Sequence, residues 1–264
     1  MPELPDVEIF KQYFDATALH QTITAVYVGD HRILQDLSEN DLRSYSLDSK
    51  FESTFRHGKN LFVHLTSGAA VLLHFGMSGD LKYYQHSDDQ PKHARVIWTF
   101  DNGFHLAYIS IRMFGKVAIV QNSAAYLTDQ HLGPDALSMD WQQFFAIFKN
   151  KRGMVKSALM DQSTLAGLGN IYVDELLFHA QIHPETSVEE MNEAEIHELF
   201  KTMKSIINTA IDVRVNFEDF PDDYLINHRD KQGTCPICSK DLERIQVASR
   251  TTYYCPQCQM KMKK

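Results

Sequence analysis

Four cysteines stand as Cys235-Pro-Ile-Cys238 and Cys255-Pro-Gln-Cys258, two knuckles separated by 16 residues. Thiolates in this paired spacing close a tetrahedron around one Zn2+ ion. Four protein ligands leave no position for water or substrate, so the expected work of the metal is structural. Between the knuckles, residues 244–248 and 251–254 are strand-like and predict a hairpin whose turn presents Ser249-Arg250-Thr251. An arginine near the tip of such a ribbon suits a nucleic-acid phosphate. A zinc ribbon used for protein contact has the same spacing. A second constellation, Gly167-Leu-Gly-Asn170, places two glycines before an apolar helical run. There the backbone can be approached closely, and a helix N-terminus with Asn170 can receive a phosphate.

Several elements must position these groups. Val7, Phe10 and Phe14 have helical spacing, with Pro5 suited to a first turn. Residues 22–28, 61–65, 70–75 and 96–100 are short apolar or alternating runs that predict strands. Asp101-Asn102-Gly103 between two alternating runs predicts a hairpin. From His131-Leu-Gly-Pro134 onward the period is helical, with helices expected over 154–165 and 172–181. Asn192 with Glu195 reads as a capping box opening a long helix that carries Ile196, Leu199, Phe200, Met203, Ile207 and Ala210 on one face. The expected fold class is α+β: an N-terminal antiparallel β-sandwich with flanking helices, then a helical domain and a zinc-finger hairpin.

The chain has 264 residues, 44% hydrophobic and 23% charged, so it is long enough to need no disulfide scaffold. No run approaches the roughly 18 apolar residues of a membrane span. The start MPELPDVEIF has neither the basic flank nor the apolar core of an export signal, so a cytoplasmic location is expected. The formal net charge of -8 argues against a protein that coats nucleic acid indiscriminately. That charge is uneven: residues 227–264 hold eight Lys and Arg against three Asp and Glu, net +5, and the remainder is net -13. Six glutamates between Glu185 and Glu198 and four carboxylates between Glu218 and Asp223 hold much of the acid and read as solvated faces.

Four motifs in order, Met1-Pro-Glu-Leu-Pro-Asp-Val-Glu8, His74-Phe-Gly-Met-Ser-Gly79, Ala166-Gly-Leu-Gly-Asn-Ile-Tyr-Val-Asp-Glu175 and the cysteine hairpin with Arg250-Thr-Thr-Tyr-Tyr-Cys255, span essentially the whole chain. Together they closely resemble the formamidopyrimidine-DNA glycosylase and endonuclease VIII family. The resemblance implies a bifunctional base-excision repair enzyme with a catalytic β-sandwich over 1–130, a helix-two-turn-helix domain over 131–226 and a zinc finger over 227–264. It also implies damaged double-stranded DNA as partner, action as a monomer and association with the nucleoid when bound.

With Met1 removed, Pro2 would carry a secondary amine, and α-amino groups titrate near pH 8, leaving a useful unprotonated fraction. Attack on the sugar C1′ expels the base and leaves an iminium that acidifies the C2′ proton for β-elimination. The resemblance assigns Glu3 as general acid or base, Lys59 as the catalytic lysine, and Arg250 as a phosphate holder that assists δ-elimination. It assigns Met77, Arg112 and Phe114 to filling the gap left by a flipped nucleotide. His93, Lys151 and Asn170 fall at its DNA-contact positions.

The chain departs from the family pattern in places. Met113 stands where a second arginine is usual, and only 14 residues separate Phe220 from Cys235, too few for the loop that covers 8-oxoguanine in the purine-specific branch. Lesion preference therefore stays open between oxidised purines and an endonuclease VIII-like choice of oxidised pyrimidines. A catalytically weak DNA-damage or abasic-site binding protein on the same scaffold is the alternative from another class.

Overall fold

Alternating runs build the first half of the computed structural model, which describes residues 1–261. The last three residues of the predicted 227–264 segment lie outside the described residues. The chain divides into two compact units, one formed by Met1–Pro2 with Asp6–Gln130, the other by Glu3–Pro5 with everything from His131 on.

Helix α1 (Leu4–Thr17), which belongs to the first unit from Asp6 on, carries Pro5 in its first turn, where the missing N–H removes no helical bond. Two four-stranded antiparallel sheets follow. One has the order β1 (Ile23–Val28), β6 (Ala94–Phe100), β7 (His105–Ser110), β5 (Gly79–Tyr84). The other has the order β2 (Phe51–His57), β3 (Asn60–Leu65), β4 (Ala70–His74), β8 (Lys116–Val120). The predicted Asp101-Asn102-Gly103 hairpin joins β6 to β7 with Trp98 opposite Leu106. Val7 and Phe14 of α1 share the core with Phe51, Leu73, Trp98 and Tyr108 from both sheets. The unit is a β-sandwich with helices α1, α2 (Glu39–Ser46) and α3 (Ser123–Asp129), as the α+β reading expects.

The second unit is helical. Helices α4 (Trp141–Phe148), α5 (Val155–Met160), α6 (Asn170–His179) and α7 (Glu193–Asp212) surround one apolar core. The capping box of Asn192 and Glu195 opens α7 as predicted, and Ile206 joins its buried face while Phe200 is only half-buried. The helix expected over 154–165 is shorter. It stops at Met160 because the Asp161 carboxylate takes the Ser163 N–H and the Ser163 and Thr164 hydroxyls, turning the chain instead. The same unit carries the hairpin of β9 (Glu243–Val247) and β10 (Arg250–Tyr254). Among the described residues no helix is long and apolar enough to cross a membrane.

Candidate active site

The first turn of α6 has N–H groups with no partner inside the helix and offers them outward. Glu3 takes them. Its Oε2 accepts from Gly169 N at 2.8 Å and Tyr172 N at 3.3 Å, and its Oε1 accepts from Ile171 N at 2.9 Å. The side chain is 1% exposed, and a carboxylate at the positive end of a helix dipole is well placed. The sequence reading gave these N–H groups to a phosphate; in the structure a carboxylate of the chain holds them. The glycine room is also used internally. Gly167 has φ 118, its carbonyl accepts from Leu4 N at 3.0 Å, and a Cβ there would lie 2.4 Å from Leu4 Cδ1.

The same helix end holds the finger hairpin. Asn170 Nδ2 donates to Thr251 O at 2.9 Å, next to Arg250. Beneath it, Lys156 and Asp174 meet at 2.5 Å with neither side chain exposed. Lys156 Nζ also donates to Thr252 Oγ1 at 2.6 Å, while Asp174 Oδ2 accepts from Tyr253 N and lies 2.9 Å from Arg229. Arg229 in turn donates to the carbonyls of Asn170 and Ile171. Burial presses both members of the Lys156–Asp174 pair toward neutrality, pushing the lysine down and the aspartic acid up. Arg250 is exposed, makes no ion pair among the described residues, and is the first residue of β10 rather than part of the turn. The turn itself is Ala248-Ser249, with φ 50 and 60, a left-handed pair.

The cysteines converge in this unit. Cys235 and Cys258 sulfurs are 3.8 Å apart, Cys238 and Cys255 sulfurs 3.5 Å, and all four lie within 4.8 Å of one another. Zinc–sulfur bonds of about 2.3 Å give tetrahedral edges of about 3.8 Å, whereas a disulfide needs about 2.05 Å. The donor set fits a structural zinc. Gln259 docks the second knuckle, accepting from Cys255 N and donating to Ile182 O, each at 2.9 Å.

In the first unit, Gly58 and Lys59 form the two-residue turn between β2 and β3, with Gly58 at φ 57. Arg56 lies beneath that turn. Its Nε donates to Glu8 Oε2 at 2.7 Å and its Nη1 to Gly58 O at 3.1 Å. His74, paired with Asn60 in the neighbouring strand, accepts from Gly76 N through Nδ1. Burial first, then Lys59 and Lys116, push its pKa down to about 4, so the ring is neutral at physiological pH.

Met77, Arg112 and Phe114 come together on two loops of this unit. Gly76, at φ 59, backs onto Phe114: a Cβ there would meet the Phe114 carbonyl at 2.3 Å. Arg112 N donates to Ser78 Oγ at 3.0 Å, and the guanidinium lies 5.5 Å from the Phe114 ring centroid. Met77 is 40% and Phe114 55% exposed, so neither serves the core. Met113, at φ 57, instead turns inward against the sandwich core.

His93 is exposed, with Nδ1 3.3 Å from Arg95. Lys151 is engaged within the helical unit, 3.2 Å from Asp161 and hydrogen-bonded to Thr164. The sequence reading missed Arg56, Lys156, Asp174 and Arg229. A lysine and an aspartate inside otherwise apolar helical runs were the available signal for the buried pair.

Three described families match consecutive parts of the chain: the formamidopyrimidine-DNA glycosylase N-terminal domain over residues 1–117, the formamidopyrimidine-DNA glycosylase H2TH domain over 132–219, and the zinc finger found in FPG and IleRS over 234–259. The formamidopyrimidine-DNA glycosylase of Herpetosiphon aurantiacus is 31% identical, covering 98% of this chain and 100% of its own. That of Streptococcus pyogenes is 33% identical over 99% of each. Among solved structures, Lactococcus lactis Fpg in complex with abasic-site DNA superposes with a TM-score of 0.88 at 25% identity, covering 98% of this chain and 100% of that one. MutM in complex with DNA containing carbocyclic 8-oxo-G gives 0.88 at 26% identity with the same coverage.

Proposed function

The chain belongs to the formamidopyrimidine-DNA glycosylase family, and on that premise we propose that it removes damaged bases from double-stranded DNA through the amine of Pro2, freed of Met1, and cleaves the abasic site by β,δ-elimination. It is a base-excision repair DNA glycosylase with a structural zinc finger. The observation that best supports the proposed mechanism is the anchoring of Glu3, because the carboxylate adjacent to the reacting amine is fixed by three N–H groups before substrate arrives.

In this reading the Pro2 nitrogen attacks C1′ as the bond to the base breaks, and Glu3 handles the proton traffic of sugar opening. The iminium draws electrons from C2′, which loses a proton as the 3′ phosphate leaves; the 5′ phosphate follows in the δ-elimination that Arg250 assists. Lys59 serves base departure. Met77, Arg112 and Phe114 fill the gap in the stack, and His93, Lys151 and Asn170 supply contacts to DNA. The chain acts as a monomer on cytoplasmic DNA, with the segments 1–130, 131–226 and 227–264 as its working parts.

A second reading concerns lesion choice. Within the 14 residues between Phe220 and Cys235, Tyr224, Leu225 and Ile226 are buried and Arg229 is engaged. That favours oxidised pyrimidines and ring-opened purines over 8-oxoguanine, and a panel of duplexes carrying each lesion decides it.

Borohydride trapping on abasic DNA tests the mechanism. Mature protein is expected to give a covalent adduct that Pro2→Gly abolishes. Tight binding to the same DNA with no adduct would replace the enzyme by a damage-binding protein.

A further inference from the structure

We propose that Arg56 is the positioning residue for Lys59, fixing the turn that carries this lysine against helix α1; the inference rests on the reading of Lys59 as a catalytic group. Arg56 is 8% exposed, and its guanidinium reaches two elements. One edge meets Glu8 of α1 at 2.7 Å, the other the carbonyl of Gly58 at 3.1 Å. An ion pair whose purpose was to hold α1 on the sheet would need only the first. The second reaches the carbonyl immediately before Lys59, in a turn whose left-handed Gly58 leaves the backbone direction to be set from outside.

The planar fork of arginine fixes both directions at once, which the single ammonium of a lysine cannot do. Glu8 lies on α1 six residues along the chain from Pro2, in the same compact unit as Arg56 and Lys59, so α1 carries the reference frame of Pro2. Arg56 thus indexes Lys59 to that frame. Misplacement of a catalytic group by about 1 Å costs on the order of 10²-fold in rate.

The test is a double-mutant cycle on single-turnover excision of a formamidopyrimidine base from duplex DNA. Arg56→Lys is expected to lower the saturating single-turnover rate about 10- to 100-fold with the half-saturating concentration held. Cleavage at a preformed abasic site should fall far less. In a Lys59→Ala background the same substitution should cause no further fall, because a residue acting through Lys59 has nothing left to position. If R56K does not fold, Glu8→Gln, which keeps an oxygen for Arg56 Nε, enters the cycle and is expected to show a smaller fall that also vanishes without Lys59. An equal fall with and without Lys59, or a uniform loss of excision, abasic cleavage and melting temperature, makes Arg56 merely structural and overturns the proposal. Parent-like R56K beside an impaired K59A overturns it alone. Parent-like K59A removes the Lys59 reading and this proposal with it.

Discussion

Lys156 and Asp174 sit 2.5 Å apart with no solvent on either side chain, joining α5 to α6 under the finger hairpin. Removing one partner of a buried pair leaves an uncompensated charge, which typically costs about 3–5 kcal/mol. Lys156→Met should therefore lower stability by about 3 kcal/mol, toward the small end because Arg229 still faces Asp174. Urea midpoints check this. Recovery of part of the loss in the double variant K156M/D174M is expected, since the stranded carboxylate is then gone.

The zinc finger should melt as a coupled folding and binding unit. Zinc binding to such sites is worth about 10 kcal/mol or more of combined binding and folding energy, so chelation or Cys238→Ser should free the hairpin from α6. Metal content by atomic emission should fall together with affinity for abasic DNA. Full zinc content in C238S would remove Cys238 from the ligand set.

His74 predicts a pH dependence. In the folded chain its pKa lies near 4 against an ordinary 6.5. Between those values the unfolded chain binds the extra proton, so the contribution is intact above 6.5 and drains away as pH falls toward 4. The difference amounts to about 3 kcal/mol. His74→Gln should flatten the parent's loss of stability across that window, read from denaturant midpoints at pH 4.5 and 7. Identical slopes for the two proteins would show that the ring does not resist protonation.

The left-handed pair Ala248-Ser249 carries strain of about 1–2 kcal/mol per residue that Asn-Gly would avoid. The double substitution A248N/S249G should raise finger stability by about 1 kcal/mol, seen as slower zinc loss to a chelator. Faster loss would mean the side chains at the tip contribute more than their backbone costs.

Phe114→Ala should slow excision from duplex DNA about tenfold or more, because the gap in the stack would cost a few kcal/mol unfilled. Cleavage of an abasic site in a single strand, which has no stack to replace, should be unaffected. A matched fall on both substrates would argue for a disturbed loop instead of a lost wedge.

The parts legible in the sequence were those written locally. The Asp101-Asn102-Gly103 turn, the Asn192 cap and the two cysteine knuckles each state their structure within a few residues. Helix α4 was equally legible from Asp140, Gln143 and the spacing of Phe144 and Phe148, yet went unread, as did α2 behind its Ser38 cap. The site was harder because its decisive contacts are remote. Glu3 meets Ile171 across 168 residues and Lys156 meets Thr252 across 96, and no local pattern encodes either. Phosphate and carboxylate make the same demand on a helix N-terminus, so the glycine motif could not say which anion it serves.

The anchoring of Glu3 separates two qualities of a protein preparation. Its side chain seals α6 whatever precedes residue 2, so a purification tag or an unprocessed methionine can leave a well-folded, zinc-loaded, DNA-binding sample. In that sample the Pro2 nitrogen is bound up in an amide and cannot make the proposed attack. Melting curves and binding isotherms would certify it; the mass of the N-terminal peptide, or a missing borohydride-trapped adduct, would reveal that it is inert.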